Sequence, residues 1–206
     1  MSQIVLKIPR RDSALEKVAK FAIGQAASAV SGATGINLPI NWDELPYVPG
    51  ECQIEGFQNL ILVDSVEWST EVEHEVAADA RRTVHVPKID TVKIKRKLDS
   101  ASAHLQKRAL TTKVSPHPWE LYFLKGIGNV SAGVQTYGFM QVKFMTMKLH
   151  NPLISKYEFD ISAGEAEESI EVSPSTIEWI YHPTSEAQSI LGNKVIKYNV
   201  QTGTLS

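Results

Sequence analysis

With 21 lysines and arginines set against 23 aspartates and glutamates, this 206-residue chain has a formal net charge of -2. That balance gives no electrostatic reason to expect nucleic acid, whose phosphates reward a basic face, and a membrane-surface protein is normally more basic. Its one cysteine, Cys52, excludes an internal disulfide and a cysteine-rich zinc site, and fits folding in a reducing cytoplasm.

The length suits a single domain, 1–206, able to bury a real core. Gln3 to Ile8 alternates weakly and predicts a first strand ended by Pro9. This stretch is short, contains Lys7 and runs into Arg10 and Arg11, so it is not read as a secretory signal. Ser13 and Glu16 have capping-box spacing, in which hydroxyl and carboxylate each satisfy an otherwise unpaired amide of the first helical turn. Leu15, Val18, Ala22, Ala26 and Ala29 then share one face of an amphipathic helix that Gly32 ends. At about 1.5 Å per residue that helix is too short for a bilayer of ~30 Å, so no stable membrane insertion is expected. Asn37 to Pro49 holds three prolines and predicts irregular, extended chain.

Leu60, Leu62, Val66 and Trp68 share a parity and leave Ile61 and Val63 opposite, the pattern of a strand apolar on both faces and central in its sheet. EVEHEVAADARR, Glu71 to Arg82, places Glu71, Glu73 and Glu75 first and Arg81 and Arg82 last. On residue type alone it reads as a solvated loop, and its opposed ends also suit a head-to-tail contact between subunits. Val92 and Ile94 lie on one face of the next strand, with Lys93, Lys95 and Lys97 on the other. Asp99, Ser100 or Ser102 can cap the helix that follows, whose Leu105 and Ala109 face one side and require burial against a sheet or barrel mouth.

Trp119 to Leu124 is a further apolar run, followed by a predicted loop from Gly126 to Gly133. Phe139 to Leu149 changes parity near Phe144 and Met145, which predicts a bend or bulge, with Met140, Met145 and Met147 as core filler. Leu153, Tyr157, Phe159 and Ile161 alternate with Lys156, Glu158 and Asp160, as in a strand wet on one face. Glu165 to Glu168 is expected to form a solvated connection. Ile170 and Val172 are even whereas Ile177, Trp179 and Tyr181 are odd, so a residue must be absorbed at Ser173, Pro174 and Ser175, by a bulge or a switch between sheets. Val195 to Val200 offers a last strand with two possible faces.

Catalytic signatures do not emerge. The six histidines are scattered and form no HExxH pair, and Glu73, His74 and Glu75 have no second histidine nearby, so no metal is expected. GIGNVS lacks the last glycine of the dinucleotide fingerprint and the surrounding strand–turn–helix, which removes nucleotide binding. With no GxSxG elbow and no protease context around Cys52, neither an enzyme nor a cofactor is predicted.

The segments LISKYEF, ESIEVSPSTIEWIYHP and GNKVIKYNVQTG resemble, in that order, the closing strands of the haemolysin-coregulated protein (Hcp) family, tube subunits of bacterial type VI secretion systems. GECQIEGFQNLILVDSVEWS resembles the family's opening block, and VHVPKIDTVKIKRKLDSASAHLQKRAL its middle strand and helix. The resemblance runs from about Gly50 to Gly203. Residues 11–49 stand outside it as an inserted helix and proline-rich extension.

This resemblance implies a mainly β fold, a small β-barrel of two curved antiparallel sheets with one short helix packed at the barrel. The amphipathic helix of residues 11–49 is additional. It also implies a ring, usually a hexamer, stacked into a hollow tube that carries effector proteins. The implied partners are further copies of the chain, the sheath, spike and baseplate proteins, and effectors, with no nucleic acid. Assembly would take place in the bacterial cytoplasm and export through the type VI machine. Glu71, Glu73, Glu75, Arg81 and Arg82 become candidates for subunit contact, and Lys93, Lys95 and Lys97 for the channel wall. The alternative reading is a secreted effector whose Hcp-like carrier presents 11–49 as an active or membrane-binding element.

Overall fold

The computed structural model describes residues 2–10, 47–76, 82–128, 139–162, 165–183 and 192–205. The predicted helix with Ser13, Glu16 and Gly32 lies outside these residues, as do Arg81 and the loop from Asn129 to Gly133. The chain enters through β1 (Ser2–Lys7), β2 (Ile61–Val63) and β3 (Ser65–Glu67), then forms the short strands β4 (Thr70–Glu71), β5 (His74–Val76), β6 (Arg82–Val84) and β7 (Lys88–Ile89). It continues through β8 (Val92–Lys97), the helix α1 (Ser102–Thr111), β9 (Trp119–Gly128), β10 (Phe139–His150) and β11 (Leu153–Ser162). β12 (Glu165–Ser173), β13 (Thr176–Tyr181), β14 (Lys194–Asn199) and β15 (Thr204–Leu205) complete it.

A seven-stranded sheet in the order β15-β14-β13-β10-β9-β1-β2 faces a four-stranded sheet in the order β11-β12-β8-β3. Between them lies one apolar core. The larger sheet contributes Leu6, Ile61, Leu121, Met147, Leu149 and Ile177; the smaller one Val92, Ile94, Ile154, Ile170 and Val172. Every strand pairing among the described residues is antiparallel, and in the two main sheets alternate residues face the core.

Besides the crossover through α1, the described chain passes from one sheet to the other at three sharp corners, and each coincides with a break in sequence parity. Only Asp64 separates β2 from β3, and its amide donates to the Lys95 carbonyl at 3.0 Å. Ile61 and Val63 point inward before it and Val66 after it. The predicted central strand is therefore two short edge strands, one in each sheet, and Leu62 and Trp68 emerge partly exposed. Asn151, with φ +47°, and Pro152 turn β10 into β11, and Pro174 turns β12 into β13. The last two corners are tied together, because the Ser175 amide donates to the His150 carbonyl at 2.9 Å. Pro174 therefore marks a switch between sheets, one of the two outcomes, bulge or switch, that the change of parity left open.

The change of parity in β10 is a bulge, with the register against β9 shifting between Lys143 and Met145. Phe144, the extra residue, places its ring 6.2 Å from that of Phe123. β9 itself runs on to Gly128, so the predicted loop begins later than Gly126: a β-ladder with β10 overrides the two glycines. In β14, Tyr198 faces the core, and Val200 just beyond the strand packs against it, which settles the two-faced pattern.

Residues 47–60 fold back on the outer face of the large sheet. Gly50 and Cys52 donate to the carbonyls of Asn59 and Leu60 at 2.9 and 3.0 Å, and Cys52 and Leu60 join Val5 and Leu124 in a second, smaller apolar cluster. A Cβ on Gly50 would sit 2.5 Å from the Leu60 carbonyl oxygen, so backbone approach alone demands glycine here. Burial raises the Cys52 thiol above its ordinary range. Pro9 bridges to Tyr47, and the Val48 amide donates to the Ile8 carbonyl. Pro9 and Tyr47 thus hold the two flanks of residues 11–46 side by side.

Candidate functional site

Three surfaces concern the residues singled out in the sequence. The first is the outward face of the small sheet. Cross-strand register puts Glu67, Lys93, Glu171 and Lys156 in one row from β3 to β11, and Lys97, Glu167 and Asp160 in another. The Lys95 ammonium lies 3.2 Å from Glu67, Lys97 lies 3.3 Å from Glu165, and Lys156 lies 2.8 Å from Glu158. The ammonium beside Glu158 lowers that carboxyl's pKa below its usual value, and the carboxylate raises that of Lys156. Lys93, Lys95 and Lys97 therefore do share a face, and it is a wet one neutralised by its own acids.

The second is an arm. Among the described residues β4 pairs only with β7, and β5 only with β6, as two short ribbons outside both sheets. The expected solvated loop from Glu71 to Arg82 is thus a hairpin over its described residues. Alternation of Val72, His74 and Val76 with acids favours a strand, and Val84 with Val86 supplies the return. Glu71, Val72, Glu73 and His74 on the outgoing side are all exposed, as are His85, Val86 and Lys88 on the return. Glu73 is paired with Lys88 at 2.6 Å, which lowers its own pKa and raises that of the lysine. The backbones of Glu75 and Arg82 lie in β5 and β6, while Arg81 falls outside the described residues. The arm is anchored at its root: the Tyr198 hydroxyl donates to the Pro87 carbonyl, and Gly203, at φ +68°, leaves room for Val86.

The third is a charged centre inside the barrel that the sequence reading missed. Glu165 to Glu168 is not a solvated connection but the start of β12, and Glu168 is 1% exposed. Its carboxylate faces Arg96, equally buried, whose Nη1 lies 3.2 Å from Oε1. Arg96 also contacts Asp99. None of its nitrogens directs a well-aligned hydrogen bond, so the contacts are ionic. Glu168 accepts hydrogen bonds from the Tyr157 hydroxyl and from Ser102 Oγ, at 3.2 Å for the serine, and Asp99 accepts from the Ala101 amide at 2.7 Å. Burial, followed by the carboxylate of Glu168, holds the Tyr157 phenol far above its ordinary value.

This network explains α1. No side chain of its N-cap, Ala101, caps the helix, but the Asx turn at Asp99 fixes the chain just before it, and Leu105 and Ala109 pack on the core as the spacing predicts. The signal available in the sequence was Arg96 standing at an even position with Val92 and Ile94, in register across the sheet from Glu168.

The chemistry of these surfaces is that of contact. Among the described residues no group of three or more histidine, cysteine, aspartate or glutamate side chains is arranged to hold a metal ion. No described helix is long and apolar enough to cross a membrane.

The sequence model of the family described as "Type VI secretion system effector, Hcp" matches residues 36–181, well over half of the chain. The chain belongs to the Hcp family. No curated protein sequence matches it. Among solved structures it is similar to one described as a type six secretion system protein, with a TM-score of 0.67 at 13% identity over 100% of both chains. It is also similar to Hcp1 from Salmonella typhimurium, with a TM-score of 0.60 at 16% identity over 100% of this chain and 99% of that one. For Hcp1 from E. coli EAEC 042 pathovar the values are 0.57 and 14%, over 97% of each chain. At such identities the likeness shows a shared fold, and it spans both sheets and the helix. As an Hcp protein this chain is a tube subunit of the type VI secretion system.

Proposed function

We propose that this Hcp chain acts without catalysis, as a ring subunit, hexameric by the family's habit, whose rings stack through the arm into a hollow tube that carries effector proteins. The arm is the observation that supports this reading. Among the described residues its strands pair only within two small ribbons, β4 with β7 and β5 with β6, and the arm stays exposed on the single subunit, with Val72 and Val86 45% and 57% exposed. Such ribbons are marginal in water unless another surface covers them. Head-to-tail stacking supplies that surface repeatedly, since a ring's two faces are unlike and can pair without limit. In this reading Glu71, Glu73 and Glu75 on one side, and Arg81 and Arg82 on the other, meet a neighbouring copy.

Charge reversal at Arg81 and Arg82 should shorten or abolish tubes in negative-stain images while light scattering still reports single rings. Unchanged tubes would remove the arm from the contact.

The wet face with Lys93, Lys95 and Lys97 belongs in this reading to the channel wall, where paired charges let cargo slide without sticking. A cysteine placed at Lys95 should react with a small maleimide in assembled tubes and not with one carried on a large polymer. Reaction with both would put that face outside. The domain reading belongs to the same proposal: one barrel domain, 1–206, with 11–49 as an inserted extension, which the bridge between Pro9 and Tyr47 supports. Sheath, spike and baseplate proteins are the expected partners of the tube, with assembly in the cytoplasm and export through the machine.

A further inference from the structure

The two ribbons of the arm meet at a joint. β4 and β7 pair as far as Glu71 and Lys88, and β5 and β6 resume at His74 and Val84, with Val86 and Pro87 between them on the returning side. Pro87 has no amide to give to a ladder, so regular pairing breaks there, and a ribbon this short does not by itself fix the direction of what lies beyond it. The Pro87 carbonyl and the Val86 side chain turn instead to the hairpin of β14 and β15. We propose that Tyr198 and Gly203 are positioning residues for the stacking of rings, which hold this joint and thereby set the angle at which the arm leaves the barrel. The proposal rests on the arm being the stacking contact.

Tyr198 is 5% exposed, out of a neighbouring copy's reach, and its ring belongs to the core. Only its hydroxyl reaches outward, to donate to the Pro87 carbonyl. A phenylalanine would fill the core as well, so packing does not account for that hydroxyl. β14 pairs with β13 over six residues, which makes Tyr198 part of the frame of the large sheet. The arm is thus fastened to the stiffest part of the molecule.

Beyond Tyr198 the chain turns tightly. The Asn199 side-chain oxygen accepts from the amides of Gln201 and Thr202, both at 3.0 Å, and the Gly203 amide donates to the Asn199 carbonyl at 2.8 Å. The Val200 amide donates to the Ser175 carbonyl at 2.9 Å, which ties the turn to the corner between the sheets. Gly203, at φ +68°, is brought against Val86, where a Cβ would overlap a valine methyl group and lie 3.3 Å from the valine Cβ. Two demands fall on this one residue, a left-handed backbone and a place with no room for a side chain. The first is met in many turns. The second exists only because the root of the arm is seated there. An arm already aimed loses less freedom when it meets a neighbour, so a held joint favours stacking.

The test compares the full chain with Tyr198→Phe, by hydrogen exchange of single rings and by tube length in negative-stain images. Loss of one hydrogen bond at the joint should speed exchange of the amides at 73–76 and 82–85 about three- to tenfold. Tubes should shorten while light scattering still reports whole rings. Arm exchange equal to that of the parent overturns the proposal, and so does a change confined to β9 and β10, the mark of a role in the core alone. Gly203→Ala should loosen the arm further. Val86→Ala added to it should restore part of the lost protection, because the methyl group that the new side chain meets is gone; a double variant as loose as Gly203→Ala counts against the proposal. Tubes lost in Arg81→Glu/Arg82→Glu but normal in Tyr198→Phe overturn the proposal and leave the arm contact standing. Normal tubes in both remove the arm contact itself, and the proposal with it.

Discussion

The same pair of residue types, a cation opposite a glutamate, occurs in two settings in this barrel and does opposite work. On the outer face of the large sheet, Lys7, Glu120, Lys148, Glu178 and Lys197 stand in cross-strand register over β1, β9, β10, β13 and β14, alternating in sign. Their contacts are loose, 3.7 Å for Lys7 with Glu120 and 3.8 Å for Lys148 with Glu178. On the inner face of the small sheet, Arg96 and Glu168 meet buried, each 1% exposed. The ladder keeps a sheet face wet and unattractive to other sheets, as an exposed β surface requires. The inner pair costs desolvation and repays it only while both partners and their hydroxyl donors are in place. Setting, more than pairing, decides what a Lys/Arg–Glu contact contributes.

The largest effect should come from breaking the inner pair on one side. Arg96→Met or Glu168→Leu alone strands a buried charge and is expected to cost about 3–5 kcal/mol, read as a lower urea midpoint. The double variant should recover part of that loss, since the pair goes together while the Asp99 carboxylate is still left without its cation. A double variant no better than either single one would show that the pair is itself a net stabiliser.

Next in size is Tyr157→Phe, which removes a donor to a buried carboxylate and should cost about 1–2 kcal/mol. It also has a signature in pH. The phenol titrates near 10 in the unfolded chain and well above that in the folded one, so its contribution is complete below pH 10 and drains away as the pH rises further. Alkaline denaturation should accordingly be delayed in the variant relative to its own neutral-pH stability. Equal slopes in the two proteins would mean that Tyr157 is not held by Glu168.

The outer ladder should answer weakly. Glu178→Gln removes a partner of both Lys148 and His150, yet for a partly wet contact the expected change is within about 0.5–1 kcal/mol and smaller still at high salt. A loss as large as that at Glu168 would end the contrast.

Much of the small sheet was open to reading from residue order, because its period is two and one face is dry. Val92 and Ile94 opposite Lys93, Lys95 and Lys97 follow from counting parity, and in the large sheet so does an irregularity beside Phe144, while at Pro174 parity left a bulge or a sheet switch open. Parity also misled where burial ends. Phe159 and Ile161 alternate as core residues should, but β11 is an edge strand that runs beyond the packed core, leaving them 49% and 70% exposed. Candidate contact residues were nameable from charge order in Glu71 to Arg82, but the ribbon form of the arm was not, since local polarity outweighed a weak alternation.

By itself the sequence determined alternation, turn chemistry and family membership, for these depend on near neighbours and on ordered segments that survive at low identity. Tertiary structure alone decided that Ile61 to Glu67 is a corner rather than a central strand. It also decided that Glu168 is sealed against Arg96, 72 positions away along the chain. A carboxylate in an acidic run looks solvated until the strand that covers it is known, because burial is a property of what lies opposite across the sheet and not of the residues on either side.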